Sequence, residues 1–250
     1  MKLLSKCILK QSIRGNWILW TVLTALFSIN AFFLPAMDLS ELPTSMQDAG
    51  LTSMFGNIMF DGMGIILLLV YAIIVGNKLV ASEIDKGTMS FALNTPTTRR
   101  QIILTKTLFY IASILAMVIV PMILATISTV IFDAPLDLGR IWLMTLAFIL
   151  FILATAGICF FASCWFNRSS FSLALGAGLP LLFYVFISLS GLDNFGFLEY
   201  LSLNTLYVGD QIALGQEVST WIGQMIALVV IAIALFTGGI IKFLRKDLPL

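Results

Sequence analysis

The sequence predicts an all-α polytopic membrane protein with six transmembrane helices, and three observations carry that prediction. Hydrophobic residues make up 60% of the 250 positions and charged residues 11%, where a soluble domain averages about 25% charged. The apolar residues fall in continuous runs near the roughly 20 residues that cross a bilayer as a helix, not in the short alternating segments of a membrane β-barrel. The charges between the runs segregate by sign. With the N-terminus inside, 13 of the 14 basic residues lie on the inner side and only Arg140 lies outside, while ten of the 13 acids lie outside. Such a bias sets orientation, so both termini are expected to be cytoplasmic. The whole chain, 1–250, reads as one transmembrane domain.

Residues 1–16 open with Lys2, Lys6, Lys10 and Arg14, spaced by four. That spacing drifts by about 40° per step on an α-helix, giving a slanting basic stripe beside an apolar strip. This suits an amphipathic interface helix lying on an anionic leaflet. A signal peptide is the rival reading, but the apolar run that follows is too long for one and shows no small-x-small cleavage site.

The spans are expected at 17–36, 62–79, 108–132, 141–166, 171–190 and 221–243. Residues 37–61 connect the first two with Asp38, Glu41, Asp48 and Asp61 and no basic residue. Pro121 lies inside the third span, where length allows tilt or a kink. Asp133, Asp137 and Arg140 mark a short link, and Asn167 to Ser170 a tight turn. In the fifth span, Ser172, Ala174, Gly176 and Gly178 suggest a small-residue face for close helix packing, dimer packing or a pathway. Ala234 and Gly238 suggest the same in the sixth. Pro180 either breaks the fifth helix toward a cavity or merely kinks it. Residues 191–220 form a longer polar stretch with four acids.

Several chemistries are excluded or weakened. There is no histidine, which removes His-based triads, HExxH metalloproteases and most zinc sites. The three cysteines, Cys7, Cys159 and Cys164, form no CxxC pair and read as small hydrophobes. No GxxxxGK[ST] phosphate loop occurs. The spans as drawn bury no charge centrally, unlike most ion-coupled transporters and proton pumps. Nothing points to nucleic acid or to a metal, and no catalytic residue is expected.

The longest polar interruption on the inner side is 82–106, SEIDKGTMSFALNTPTTRRQIILTK. Ser82-x-x-Asp85 reads as a capping-box-like helix start, with Ile84, Met89, Ala92 and Leu93 sharing parts of one face to Leu93. Pro96 stops that helix and biases Thr95 toward an extended conformation. Thr97 or Thr98 can cap a second helix carrying Arg99 and Arg100 into the third span. The physical chemistry leaves two readings open: a docking surface for a partner, or a solvated linker anchoring two spans.

The string Glu83-x-x-x-Gly87-Thr88, then Leu93-Asn94-Thr95-Pro96-Thr97-Thr98-Arg99, then Lys106, resembles the signature between the second and third spans of ABC-2 type permeases, the membrane subunits of ATP-binding cassette exporters with type V architecture. Asn94 departs from the serine that many members carry. The basic N-terminal helix, six spans and long final outer stretch match as well, and the small size is similar to permeases that export phenol-soluble modulins and to bacteriocin-immunity and bacitracin-type permeases.

The resemblance implies a unit of two permease subunits, expected as a homodimer, with two copies of a separate ATPase. ATP and magnesium would sit on that ATPase, with no cofactor on this chain. A coupling helix, with Glu83, Ile84, Asp85, Gly87, Thr88, Met89, Phe91, Leu93, Pro96 and Arg99 in the coupling element, would insert into the ATPase, flanked by the N-terminal helix. Leu198, Tyr200 and Asn204 would belong to short re-entrant helices gating the outer exit. The expected function is ATP-driven export of hydrophobic or amphipathic peptides or lipophilic drugs by alternating access. The alternatives are a secondary transporter or channel that needs no ATPase, and a membrane scaffold without transport.

Overall fold

The computed structural model describes residues 5–36, 50–89, 97–190 and 196–246, and those residues contain helices and turns but no strand. The described helices are α1 (Lys6–Phe33), α2 (Leu51–Gly56), α3 (Ile65–Leu79), α4 (Ala81–Asp85), α5 (Arg99–Ile131), α6 (Leu138–Trp165), α7 (Ser169–Ser190), α8 (Gly209–Ala213) and α9 (Val218–Leu244). Two 3₁₀ turns, Gly196–Leu201 and Leu203–Leu206, precede α8. Among the described residues, six helical runs are long and apolar enough to cross a membrane. A chain this apolar has little choice, because in lipid each backbone N–H and C=O must find its partner within the protein.

Two boundaries differ from the sequence reading. The interface helix expected at 1–16 and the span from 17 form one continuous helix from Lys6, because Gly15 and Asn16 interrupt nothing and Asn16 Nδ2 donates back to the Ser12 carbonyl at 2.9 Å. The second membrane helix starts earlier than 62. Leu51, Met54, Phe55, Met59 and Phe60 are buried along α2 and a π-helical segment, Asn57–Gly64, so Asp61 lies within the helical run and not in a connection.

The π segment has a visible cause. A π turn brings the carbonyl five residues back beside the chain, and a Cβ on Gly64 would lie 2.2 Å from the Met59 carbonyl oxygen and 3.1 Å from Phe148. Glycine permits the turn that aims Asp61.

α1 and α5 run parallel, joined at successive levels by Ser5 N–H to Thr105 Oγ1 (3.1 Å), Trp20 Nε1–H to the Ser113 carbonyl (2.9 Å), and the Ser128 hydroxyl to the Phe32 carbonyl. α3 returns between them and α6, with the Tyr110 hydroxyl donating to the Ala72 carbonyl at 2.7 Å. α6 is the buried axis of the bundle, while α1 and α7 leave most of their surface exposed. Small residues let neighbours approach α6 closely. A Cβ on Gly176 of α7 would lie 3.3 Å from Cys159 Cα, and one on Gly239 of α9 would lie 3.0 Å from the Phe160 ring.

These contacts correct the small-residue reading. Residues two apart fall on opposite sides of a helix with 100° per residue. Accordingly Ser172 and Gly176 are buried against α6, while Ala174 and Gly178 are exposed. In α9, Gly239 makes the closer approach and Ala234 is exposed.

Pro180 does not break α7, which continues to Ser190. Proline lacks the N–H that would serve the Gly176 carbonyl, and the buried Cys159 thiol donates to that carbonyl instead, at 3.0 Å. The notch left by Pro180 is thereby satisfied from α6.

The Gly64→Ala variant is expected to lose about 2 kcal/mol of stability through overpacking, while Gly223→Ala, at a site with nothing within 4 Å, should be neutral or stabilising by up to about 1 kcal/mol. Thermal unfolding of the detergent-purified variants checks both.

Candidate functional site

The face of the bundle that carries the start of α1, the end of α9 and the α3–α5 region is the basic one, and its polar side chains converge on one backbone interruption. α3 ends at Leu79, and Val80 takes φ −130° and ψ −65° before α4 begins at Ala81. A break of this kind frees a carbonyl and an N–H. The Leu79 carbonyl accepts from Lys106 Nζ at 2.5 Å, and the Ala81 N–H donates to Ser163 Oγ at 2.9 Å. Both partners are buried and come from other helices, α5 and α6.

Lys106 also pairs with Glu83 Oε2 at 2.5 Å. The ammonium is thus held by the end of one helix and the first turn of the next. Around it the Ser163 hydroxyl donates to the Asn77 carbonyl (3.3 Å), Asn77 Nδ2 donates to Ser169 Oγ (2.7 Å), and Ser169 N–H donates to Asp85 Oδ2 (3.3 Å). Asp85 therefore places a carboxylate at the first turn of α7, where helix N–H groups lack partners and favour negative charge. The short helix α4 is tied to α5, α6 and α7 together.

α4 is shorter than the 82–93 helix expected from sequence. Val80, not Ser82, holds the N-cap position, without a side-chain cap. Gly87, at φ +70°, closes the helix in the left-handed conformation, its N–H donating to the Ile84 carbonyl at 3.0 Å. Thr88 Oγ1 donates to the Glu83 carbonyl at 3.2 Å. Asp85, Lys86, Gly87 and Thr88 form an exposed tip, whereas Met89 turns back into the core. Ile84 packs partly buried against that core. Phe91, Leu93 and Pro96 lie outside the described residues, as does Lys2.

The second half of the element follows expectation. Thr98 caps α5 in a full capping box with Gln101. Arg99 Nη1 reaches the Lys246 carbonyl at 3.3 Å. Lys246 in turn donates to the last carbonyls of α6, those of Cys164, Trp165 and Phe166, at 3.1, 3.2 and 2.9 Å. Burial holds its ammonium below the usual lysine range; Cys164 opposes that shift and Lys242 adds to it. Lys6, Lys10 and Arg14 are exposed on α1, opposite the buried Ile8 and Ser12.

The opposite, acidic face holds a second polar cluster. Its 3₁₀ turns are fixed by the Ser202 hydroxyl, which donates to the Phe183 carbonyl at 3.0 Å and accepts from Asn204 N–H at 3.1 Å. Asn204 lines a cavity with Asp61, Tyr207 and Asp210. Burial first, then the Asp61 and Asp210 carboxylates, push the Tyr207 phenol well above its ordinary range. Tyr200 is 86% exposed and Leu198 half-buried. Neither lines that cavity.

Of the residues anticipated from sequence, Glu83, Ile84 and Asp85 share one network or its rim. Gly176, Gly178 and Pro180 stand apart from it: Gly176 packs inside the subunit, and Gly178 faces outward with nothing within 4 Å. Sequence reasoning passed over Asn77, Ser163, Ser169 and the buried end of Lys106. The available signal was polarity inside apolar runs, since a polar side chain in a membrane helix needs a protein partner.

Lys106→Ala should cost about 2 kcal/mol by leaving the Leu79 carbonyl without its donor, and in a double-mutant cycle with Glu83→Gln the two losses should fall clearly short of additive. Unfolding of the four proteins in one detergent measures this.

A family model described as ABC-2 family transporter protein matches residues 8–248. None of the curated proteins matches the chain.

Proposed function

Because the chain belongs to the ABC-2 transporter family and is therefore a membrane-spanning permease subunit of an ABC transporter, we propose that it exports hydrophobic or amphipathic peptides, or lipophilic drugs, using a separate ATPase. The proposed unit is a homodimer of this chain with two copies of the ATPase, in a bacterial cell membrane with both termini cytoplasmic. The phenol-soluble-modulin exporters remain the kind of system it is proposed to resemble in cargo.

The observation that carries the reading is the junction at Val80. An exposed tip, Asp85–Thr88, stands on a five-residue helix that is hydrogen-bonded or ion-paired to α5, α6 and α7. A push on that tip is delivered to three membrane helices through short polar contacts. A solvated linker would have no reason to bury a lysine and a serine against its root, because each costs desolvation unless paired. Gly87 lets the tip turn sharply. A Cβ there meets nothing within 4 Å, so the demand for glycine comes from the positive φ. ATP closure of the motor would then tilt the junction and switch the cavity between inward- and outward-facing states.

Tagged permease should co-purify an ATP-binding cassette ATPase from its native cell. Lys86→Glu with Thr88→Trp, which alters only exposed tip residues, should lower that recovery about tenfold without changing thermal stability. Recovery of no such ATPase, or ATP-dependent export undiminished in the double variant, would overturn the coupling role.

A further inference from the structure

The cavity on the acidic face has a composition that the coupling site does not explain. It encloses about 480 Å³, within the ~300–1,000 Å³ range of small-molecule sites. Asp61 reaches it from the π-helical segment, and Asp210 from the first turn of α8. Neither carboxylate has a cation or hydrogen-bond donor among the described residues; the two ion pairs there are Lys106–Glu83 and Arg140–Asp137. No Lys or Arg occurs in 37–49 or 191–195. Arg140, the basic residue assigned to this side, is already engaged with Asp137 and the Ala213 carbonyl.

Two further oxygens in the same lining are buried and without partners: the Tyr207 hydroxyl and Gln211 Oε1. Buried polar atoms are satisfied in the great majority of cases, and exceptions call for a ligand or water. Here the exceptions are two oxygens able to accept, beside two carboxylates. Such a set is matched by a donor-only cation. Ser188, Asn204 and Thr205 add hydroxyl and amide groups to the lining, and Ile65, Phe151 and the Tyr184 ring give it an apolar wall. A bare metal ion would leave that surface unused, whereas a protonated amine on an apolar body would cover it.

We propose that this cavity binds an organic cation, a protonated amine carried on an apolar or aromatic body, with Asp61 and Asp210 holding the ammonium, Gln211 and Tyr207 accepting its remaining N–H groups, and Phe151 and Ile65 covering the body. Resting on the export reading, this makes the cargo class cationic as well as amphipathic. The π turn is then part of the site. It is stabilised by glycine at position 64, and it sets a carboxylate into a cavity that a regular helix would direct elsewhere.

The test titrates phenethylammonium into the full chain in lipid nanodiscs by calorimetry, with 2-phenylethanol as the uncharged analogue and calcium chloride as the metal probe. Saturable binding of the amine is expected, weakened about tenfold in Asp61→Asn and in Asp210→Asn, weakened less in Tyr207→Phe, and unchanged in Glu217→Gln. The alcohol and calcium should not saturate. Gel filtration and thermal unfolding without ligand establish that each variant is folded; should Asp61→Asn fail there, Asp210→Asn and Tyr207→Phe decide the matter. Equal amine binding in the carboxylate variants, equal binding of the alcohol, or saturation by calcium instead of the amine overturns the proposal. The two readings fail separately: carboxylate-dependent amine binding without an associating ATPase sinks the export reading and leaves the site, while an associating ATPase with no amine binding sinks the site alone.

Discussion

The structure depends on how one interrupted helix is satisfied. A break between Leu79 and Ala81 would leave two backbone groups unpaired at the edge of a bilayer, each costing on the order of several kcal/mol in hydrocarbon. Lys106 takes the carbonyl and Ser163 takes the N–H. Because these partners belong to α5 and α6, the break can exist only while α3, α4, α5 and α6 keep their present arrangement. The ion pair with Glu83 adds a second condition: the first turn of α4 must stay beside α5. A linker could move without disturbing the bundle. This junction cannot, and that is the physical property a coupling element requires.

Much of this architecture was legible in the sequence, and the failures have specific causes. Run length and charge asymmetry located six helices because bilayer thickness and backbone satisfaction leave few alternatives. A cap at Thr97 or Thr98 was legible because capping is a local rule, and the capping box with Gln101 assigns it to Thr98. Ser82 was misread by the same rule: it has an acidic residue three positions on, but the N-cap position is Val80, two residues earlier, and a remote serine, Ser163, accepts from the Ala81 N–H. The small-residue stripe in α7 failed because a period of two is a strand period. The polar junction stayed hidden for a different reason. Its bonds join residues 23 to 92 positions apart, and no local pattern carries such pairings.

The two polar clusters sit on one helical run. Asp61 and Glu83 both lie in the stretch Leu51–Asp85, roughly 33 Å apart at the rise of an α-helix. Each end is irregular for its own reason, a π turn permitted by Gly64 on the acidic face and a break satisfied by Lys106 and Ser163 on the basic face. Between them α3 is regular, with Tyr71, Ala72 and Val75 fully buried, and it meets α6 closely at Gly76, where a Cβ would lie 3.0 Å from Cys159 Cβ. A regular helix clamped at its basic end to three neighbours transmits displacement along its length, because regular helices resist bending.

That geometry also limits what kind of movement is available. Gly176 and Gly239 hold α7 and α9 against α6 at contact distances with no room for further approach. The Gly176 carbonyl released by Pro180 is tied to Cys159, so α7 cannot hinge there without losing a buried partner. Rotation of the Leu51–Asp85 run about its own axis would break the polar bonds that Asn77, Leu79, Ala81, Glu83 and Asp85 make to α5, α6 and α7. Under the proposed mechanism, a force on the Asp85–Thr88 tip is therefore passed to α3, α5, α6 and α7 together, and along α3 toward Asp61 and its cavity. The two ends of the chain's charge asymmetry are in this way joined by one element, which explains why the acidic cavity and the basic junction are built on the same stretch of sequence.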